Sequence, residues 1–283
     1  MGRRWWLVGA LGFLILAGCV APARRTVELV RTYNRAGLFR ELGRRADSIT
    51  TLKARLDIHY QGPQLEGPQS CDGLLRYQAP DRVRLRADRD FVGQIFDLAS
   101  DGQRFWCWFI DPEAKAPREV VTGTLATLGR CPEQGLATLS VNLGEVLGLL
   151  RPPEETATQK LVVTTYPDRY LIDLVTLVPS KVQGPEGGEP KLLRRWWVDR
   201  VDLTCPHIEV FGETGELVLE VTLSRHRAPE VGLAPVAREV RLCWPEAGET
   251  LTFQLRDLQA NQPLKPSLFR LEVPEGAQLI EFE

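Results

Sequence analysis

Histidine is almost missing from this sequence: His59, His207 and His226 are the three in 283 residues. That is thin material for a His-rich metal site or a histidine acid/base network, and each reads as a surface or strand residue. The cysteines, at 19, 71, 107, 131, 205 and 243, contain no C-x-x-C pair, which excludes a zinc knuckle and a thioredoxin-type motif. A G-x-S-x-G elbow, a P-loop and an H-E-x-x-H helix are all lacking. No Asp/Glu pair stands out as an acid/base couple. The expectation is therefore a non-enzyme with no catalytic residues, no metal and no cofactor. Charge of one sign is not in excess either. With 35 basic and 37 acidic side chains the net charge is −2, so a nucleic-acid partner is not expected. Glycine at 24 and proline at 20 are too many for a long helical bundle. A chain with 43% hydrophobic and 25% charged residues is neither disordered nor fibrous.

One uncharged apolar run dominates the N-terminus. Trp5 to Ala17 follows Arg3 and Arg4 and spans thirteen residues, short of the roughly 20 that a bilayer-spanning helix needs. It fits the h-region of a secretory signal peptide. Leu16-Ala17-Gly18-Cys19, directly after it, resembles the lipobox of bacterial lipoproteins. That resemblance implies cleavage before Cys19 and attachment of diacylglycerol to its thiol. Residues 1–18 are then a signal peptide, 19–26 a lipidated tether and 27–283 a single domain. Two or three acyl chains anchor stably where one would be marginal. Val20 follows the cysteine. In enterobacterial lipoproteins aspartate there favours inner-membrane retention, so its absence leans towards the outer membrane, facing the periplasm. Five cysteines remain after Cys19, an odd number, so at least one thiol is free or pairs with another chain. Small buried apolar residues are the plainest reading of them.

Hydrophobic spacing then sets the fold class. Val27, Val30, Leu38, Leu42 and Ile49 form an apolar stripe that suggests a helix over 27–48. From Leu52 the period becomes two, with Leu52, Ala54, Leu56, Ile58 and Tyr60 alternating with polar residues. About twelve strands follow at short intervals, including 73–78, 82–87, 93–99 and 103–110, with Asp101-Gly102 as a hairpin turn. Residues 111–160 interrupt the series, and Asn142–Leu150 reads as one short apolar helix stopped by Pro152-Pro153. Strands resume from 160 to 257. No repeat and no long linker is visible. Such a series indicates a large antiparallel sheet, curled or closed.

Several segments in order resemble the Lol lipoprotein carriers and receptors, the LolA- and LolB-like proteins. The helix leads into strand 52–60. Gly73-Leu74-Leu75-Arg76-Tyr77-Gln78-Ala79-Pro80 runs into Val83-Arg84-Leu85. Gly93-Gln94-Ile95-Phe96-Asp97-Leu98 and Asp101-Gly102-Gln103-Arg104-Phe105-Trp106 form a further hairpin, and Pro266–Ala277 looks like the closing stretch. The resemblance implies a mainly β fold, a curved antiparallel half-barrel with an N-terminal helix and a lid helix, Asn142–Leu150 contributing to the lid. It implies acyl chains of lipoproteins or other lipids as ligands. A LolB-like role fits a lipidated chain better than a soluble carrier's. An exposed apolar residue on the loop after 88, Phe91 or Val92, would contact the membrane.

Acyl chains offer no hydrogen bonds, so their site needs only a dry concave surface. Candidate lining residues are Trp106, Trp108 and Ile110 on one strand, with Leu56 and Ile58. Phe105, Cys107 and Phe109 occupy the other face of the same strand. Trp196 and Trp197 point to opposite faces, so one of them needs separate cover. Arg82, Arg84 and Arg86 repeat along one face, a solvated surface or a basic patch for anionic lipid or cell-wall polymer. The alternative to a lipid carrier is a scaffold lipoprotein that binds envelope proteins without a ligand.

Overall fold

The computed structural model describes residues 32–63, 66–89, 93–110, 119–125, 143–179 and 188–282. A helix, α1 (Arg35–Asp47), precedes β1 (Thr51–Gln61), β2 (Gln69–Gln78), β3 (Arg82–Arg89), β4 (Gly93–Asp101), β5 (Arg104–Phe109) and β6 (Glu119–Thr124). A one-turn helix, α2 (Leu143–Val146), leads into β7 (Gln159–Thr165), β8 (Arg169–Pro179), β9 (Gly188–Asp199), β10 (His207–Phe211), β11 (Leu217–Ser224), β12 (Glu239–Trp244) and β13 (Glu249–Ala260). A 3-10 turn (Pro266–Phe269) and β14 (Gln278–Phe282) complete it. No helix among the described residues is long and apolar enough to cross a membrane.

The strands form one sheet in the order β14-β6-β5-β4-β3-β2-β1-β13-β12-β11-β10-β9-β8-β7. Two up-and-down meanders, β1–β6 and β7–β13, join where β1 pairs with β13, and every pairing is antiparallel except β14 on β6. Alternation decides which side is dry. Leu56 lies opposite Gly73 and Leu255, and Ile58 opposite Cys71 and Phe253. The same face continues through Leu85 and Leu98 to Cys107 in one direction. In the other it runs through Val240, Leu223 and Val221 to Ile208, Trp196 and Ile172. These residues are buried in a single cluster with Leu38, Leu42 and Ala46 of α1. The sheet curls around that face. Gly73 stands where a Cβ would come within 2.7 Å of Ile58 Cδ1 and 2.8 Å of the Arg86 carbonyl oxygen, so the curl there leaves no room for a side chain.

The helix begins later than its apolar stripe suggests. The Asn34 side chain accepts a hydrogen bond from the Gly37 N–H at 2.8 Å and caps α1, and Ile49 is buried beyond the helix's end; residues 27–31 lie outside the described residues. Two strands went unread in the sequence. β6 falls in the glycine- and threonine-rich stretch, and β14 pairs with it in parallel as the edge strand on that side of the sheet. Trp196 is buried in the core. Trp197, on the opposite face, is covered by the Arg169 guanidinium 4.6 Å over its ring and by the edge of His207.

Candidate ligand site on the concave face

The concave face carries two elements. α1 lays Leu38, Leu42 and Ala46 onto it. The segment from α2 to Leu150 adds Val146, Leu147, Leu149 and Leu150, all buried in the same cluster. Among the polar ties that the described residues show for the helix, several sit towards its ends, Arg45 donating to the Asp202 carbonyl among them. The Tyr33 N–H donates to the Tyr170 hydroxyl at 2.8 Å, and the Ala234 N–H donates to Ser48 Oγ at 3.0 Å. Arg35 pairs with Glu155 at 2.6 Å and Arg151 with Asp47. Both pairs are solvent-exposed and weak on that account.

The second element is tied differently. Glu145 is only 5% exposed. Arg194 reaches it at 2.9 Å and Trp196 Nε1 donates to it at 3.2 Å. Arg194 is a cation on the dry face, in register with Leu174 on β8 and Val210 on β10. A carboxylate and a guanidinium withdrawn from water are tolerable only as partners, so removing either one is costly. Next to this pair, Gly148 takes φ +81° against the His226 ring. Burial lowers the His226 pKa; the Asp202 charge and a bond to the Cys205 backbone oppose the shift, and Arg45 adds to it. Burial likewise pushes the Cys205 thiol up to about 12, so it stays protonated. Cys71, Cys205 and Cys243 are free thiols. Cys131 lies outside the described residues.

The gap between α1 and the 143–150 segment, lined by Leu42, Ala46, Leu149, Leu150, Leu203 and Ala234, holds about 10 Å³. The concave face expected to form an open trough for an acyl chain is covered here. Its apolar surface emerges at the end away from the helix, where Tyr60, Phe96, Val210, Trp244 and Leu251 are half-buried and Phe109 is 38% exposed. The Phe96 and Phe109 rings lie 4.8 Å apart at this rim.

The five lining candidates divide between two faces. Leu56 and Ile58 are buried on the concave side. Trp106, Trp108 and Ile110 are on the other, in register with Ala99 and Asp97 of β4, and form a separate cluster with Val120, Leu271 and Ala277. They do not share a surface with Leu56 and Ile58. The C-terminal stretch crosses β5 and β6 on the convex side and supplies a second apolar cover there. Phe105 and Cys107 are the residues of β5 that face the concavity, with Phe109 at its rim. Identifying the inward set required the pairing register, because both faces of β5 are apolar.

The arginine row is not a free basic patch. Arg84 pairs with buried Asp97 at 2.5 Å, Arg86 donates to Gln94 at 2.8 Å and Arg82 to the Asp101 carbonyl at 3.2 Å. Cys19, Phe91 and Val92 lie outside the described residues. An apolar side chain that sequence reading missed is Val231, wholly exposed on the turn between β11 and β12. Among the described residues no cluster of His, Cys, Asp or Glu has metal-binding geometry.

No protein-family model matches the sequence, and no curated protein matches it. Solved structures do resemble the fold. An outer-membrane lipoprotein-sorting protein domain from Vibrio parahaemolyticus matches at 11% identity and TM-score 0.53, covering 82% of this chain and 94% of that one. A DUF1329 family protein from Desulfovibrio piger matches at 8% identity and TM-score 0.52, with the same coverages. A LolA superfamily protein from Nitrosomonas europaea matches at 12% identity and TM-score 0.50, covering 82% of this chain and 97% of that one.

Proposed function

Starting from a LolA-like fold, the curved half-barrel of that superfamily, we propose that this protein is a lipid-anchored envelope carrier. It takes an acyl chain, of a lipoprotein or another lipid, between the concave face and the elements that cover it. On this reading the signal peptide exports the chain, Cys19 anchors it, and Val20 after the cysteine favours the outer membrane, facing the periplasm. Val231, on the turn between β11 and β12, meets the bilayer. The observation that carries this reading is the lid: a continuous apolar sheet face is covered by one helix and one short segment rather than by a second sheet. The buried Glu145–Arg194 pair ties that segment down. Capture then means exchanging side-chain cover for hydrocarbon, with apolar burial conserved and little net cost. The Phe109 rim is the point of entry.

The filled concavity also favours a second reading, a scaffold that binds envelope proteins and holds no lipid. One experiment separates them. The full chain carrying Cys19→Ala is titrated with a fluorescent fatty acid, and native mass spectrometry is run on the untreated sample. A carrier binds the probe saturably and retains lipid. Phe109→Asp, at an already exposed position, weakens binding several-fold with an unchanged circular dichroism spectrum. No probe binding and no retained lipid would leave only the scaffold.

A further inference from the structure

The convex face carries cations that the carrier reading does not use. Lys53 on β1 stands opposite Arg76 on β2, and Arg76 opposite Arg84 on β3. Like charges in direct cross-strand register are destabilising. Arg84 is neutralised by Asp97. Lys53 and Arg76 have no ion-pair or hydrogen-bond partner for their side chains among the described residues, and neither has Arg238, whose buried Nε is also unsatisfied. Burial and the charge of Arg227 both act against the Arg238 cation.

These three cations surround one groove of about 740 Å³, lined also by Arg55, Leu74 and Gln259. A β-bulge shapes it. Lys53 pairs with Gln259 and Arg55 with Arg256, so Asp257 and Leu258 together oppose Ala54. Asp257 takes φ +49° there, a strained conformation for a residue with a side chain. From that position it reaches Arg55 at 3.7 Å, the one acid facing the groove. A strained bulge and a like-charge row, both retained around a groove with three uncompensated cations, indicate a site for an anion.

Position selects the anion. The groove lies towards the end of the sheet where β1 begins and β2 and β13 finish. The described chain starts at that same end, where Arg200 donates to Thr32 Oγ1 at 3.0 Å and the Tyr33 N–H donates to Tyr170. Cys19 is thirteen residues before Thr32, at most about 45 Å of extended chain. An anchor at Cys19 therefore keeps this end within about 45 Å of the bilayer.

We propose that the groove formed by Lys53, Arg76 and Arg238 receives the phosphate headgroup of an anionic membrane lipid and orients the anchored protein on its membrane. The inference rests on the anchored-envelope reading for its choice of occupant. It is independent of whether the concave face holds an acyl chain.

The test uses the full chain with Cys19→Ala and co-sedimentation with vesicles of phosphatidylcholine alone or mixed with phosphatidylglycerol. The N-terminal apolar stretch contributes equally to both, so the ratio of the two partition coefficients is the readout. It should favour the anionic vesicles by roughly tenfold or more and fall with added salt. Lys53→Gln, Arg76→Gln and Arg238→Gln together should bring it close to unity. A control that removes as much charge elsewhere, Lys160→Gln, Lys191→Gln and Lys265→Gln, should preserve it. Should the triple groove variant misfold by circular dichroism, Lys53→Gln alone, at an exposed side chain, should lower the ratio several-fold. Equal partition of the parent chain, equal loss in the control, or an unchanged ratio in the folded groove variants overturns the proposal. Competition by inorganic phosphate beyond that of chloride at equal ionic strength is expected of a groove that takes the headgroup phosphate; saturable binding of inorganic phosphate together with equal partition of the parent chain between the two vesicles would assign the groove to a free anion and overturn the headgroup. Absence of fatty-acid binding or of Cys19 acylation would count against the carrier or the anchor and would leave this ratio unmoved.

Discussion

His226 couples the lid segment to pH. Its ring lies against Gly148, its Nε2 is buried without a partner, and burial lowers its pKa from the ordinary 6.5. The sign follows directly. Above 6.5 the imidazole is neutral in both states and contributes no pH dependence. Below it the unfolded chain takes up a proton that the folded chain resists, so stability falls with pH until the lowered folded-state pKa is reached. Urea unfolding between about pH 7.5 and 5.5 should show stability falling as the pH drops, this residue contributing no more than about 1.4 kcal/mol per pH unit. The loss should be absent in His226→Gln. A pH dependence identical in both proteins would mean that the ring is solvated in the folded state. The sequence placed His226 at a strand end between two arginines and had no means of showing the lid segment packed on it. Phe105, Cys107 and the tryptophans of β5 make the same point. Alternation was legible in both directions, but which set faced inward depended on partners in β4.

At the scale of elements, α1 is the cover most readily moved. It contributes three buried side chains, Leu38, Leu42 and Ala46, and is tied chiefly at its ends. Leu42→Asp puts a charge at a position 3% exposed, where it can be accommodated only by undocking the helix. The sheet should remain, since its ladders do not involve α1. The expected result is a several-fold rise in binding of an apolar dye such as ANS, with strand circular dichroism retained. A cooperative loss of the whole spectrum would show that helix and sheet form one unit. The helix was legible from Leu38 and Leu42, four residues apart within its thirteen positions, although the stripe that was read ran from Val27 to Ile49. The 143–150 lid was legible as an apolar run ended by prolines, although only Leu143–Val146 is helical. β14 was not legible: five residues pair in parallel with β6 at a distance of more than 150 in sequence, and nothing local signals that.

At the scale of the molecule, the open sheet has two edges, a covered concave face and a convex face covered in part by the C-terminal stretch. The C-terminal stretch supplies one edge strand, β14, and packs over Trp106, Trp108 and Ile110 on the convex side. The other edge ends at β7, where Glu155 accepts from the Leu161 N–H at 2.7 Å and blunts it. The N-terminal end of the described chain and the cationic groove share one end of this body, whereas Phe109 marks the other. An anchored molecule would thus present its apolar rim away from its own attachment point. The anchor has its own test. Labelled palmitate should enter the wild-type chain and not Cys19→Ala; equal labelling would place acylation elsewhere.

Local spacing was sufficient to establish a β-rich chain with one leading helix, a short apolar interruption and an apolar N-terminal run ending in Leu16-Ala17-Gly18-Cys19. Those features depend on periodicity and short motifs, which neighbouring residues carry among themselves. Tertiary structure alone decided that the concave face is filled, that β5 turns its tryptophans outward, that Glu145 meets Arg194, and that Lys53, Arg76 and Arg238 surround one groove. Each of these depends on the register between strands or on the packing of one segment against another. A shift of one residue in that register would exchange the two faces of a strand while leaving its pattern of alternation unchanged.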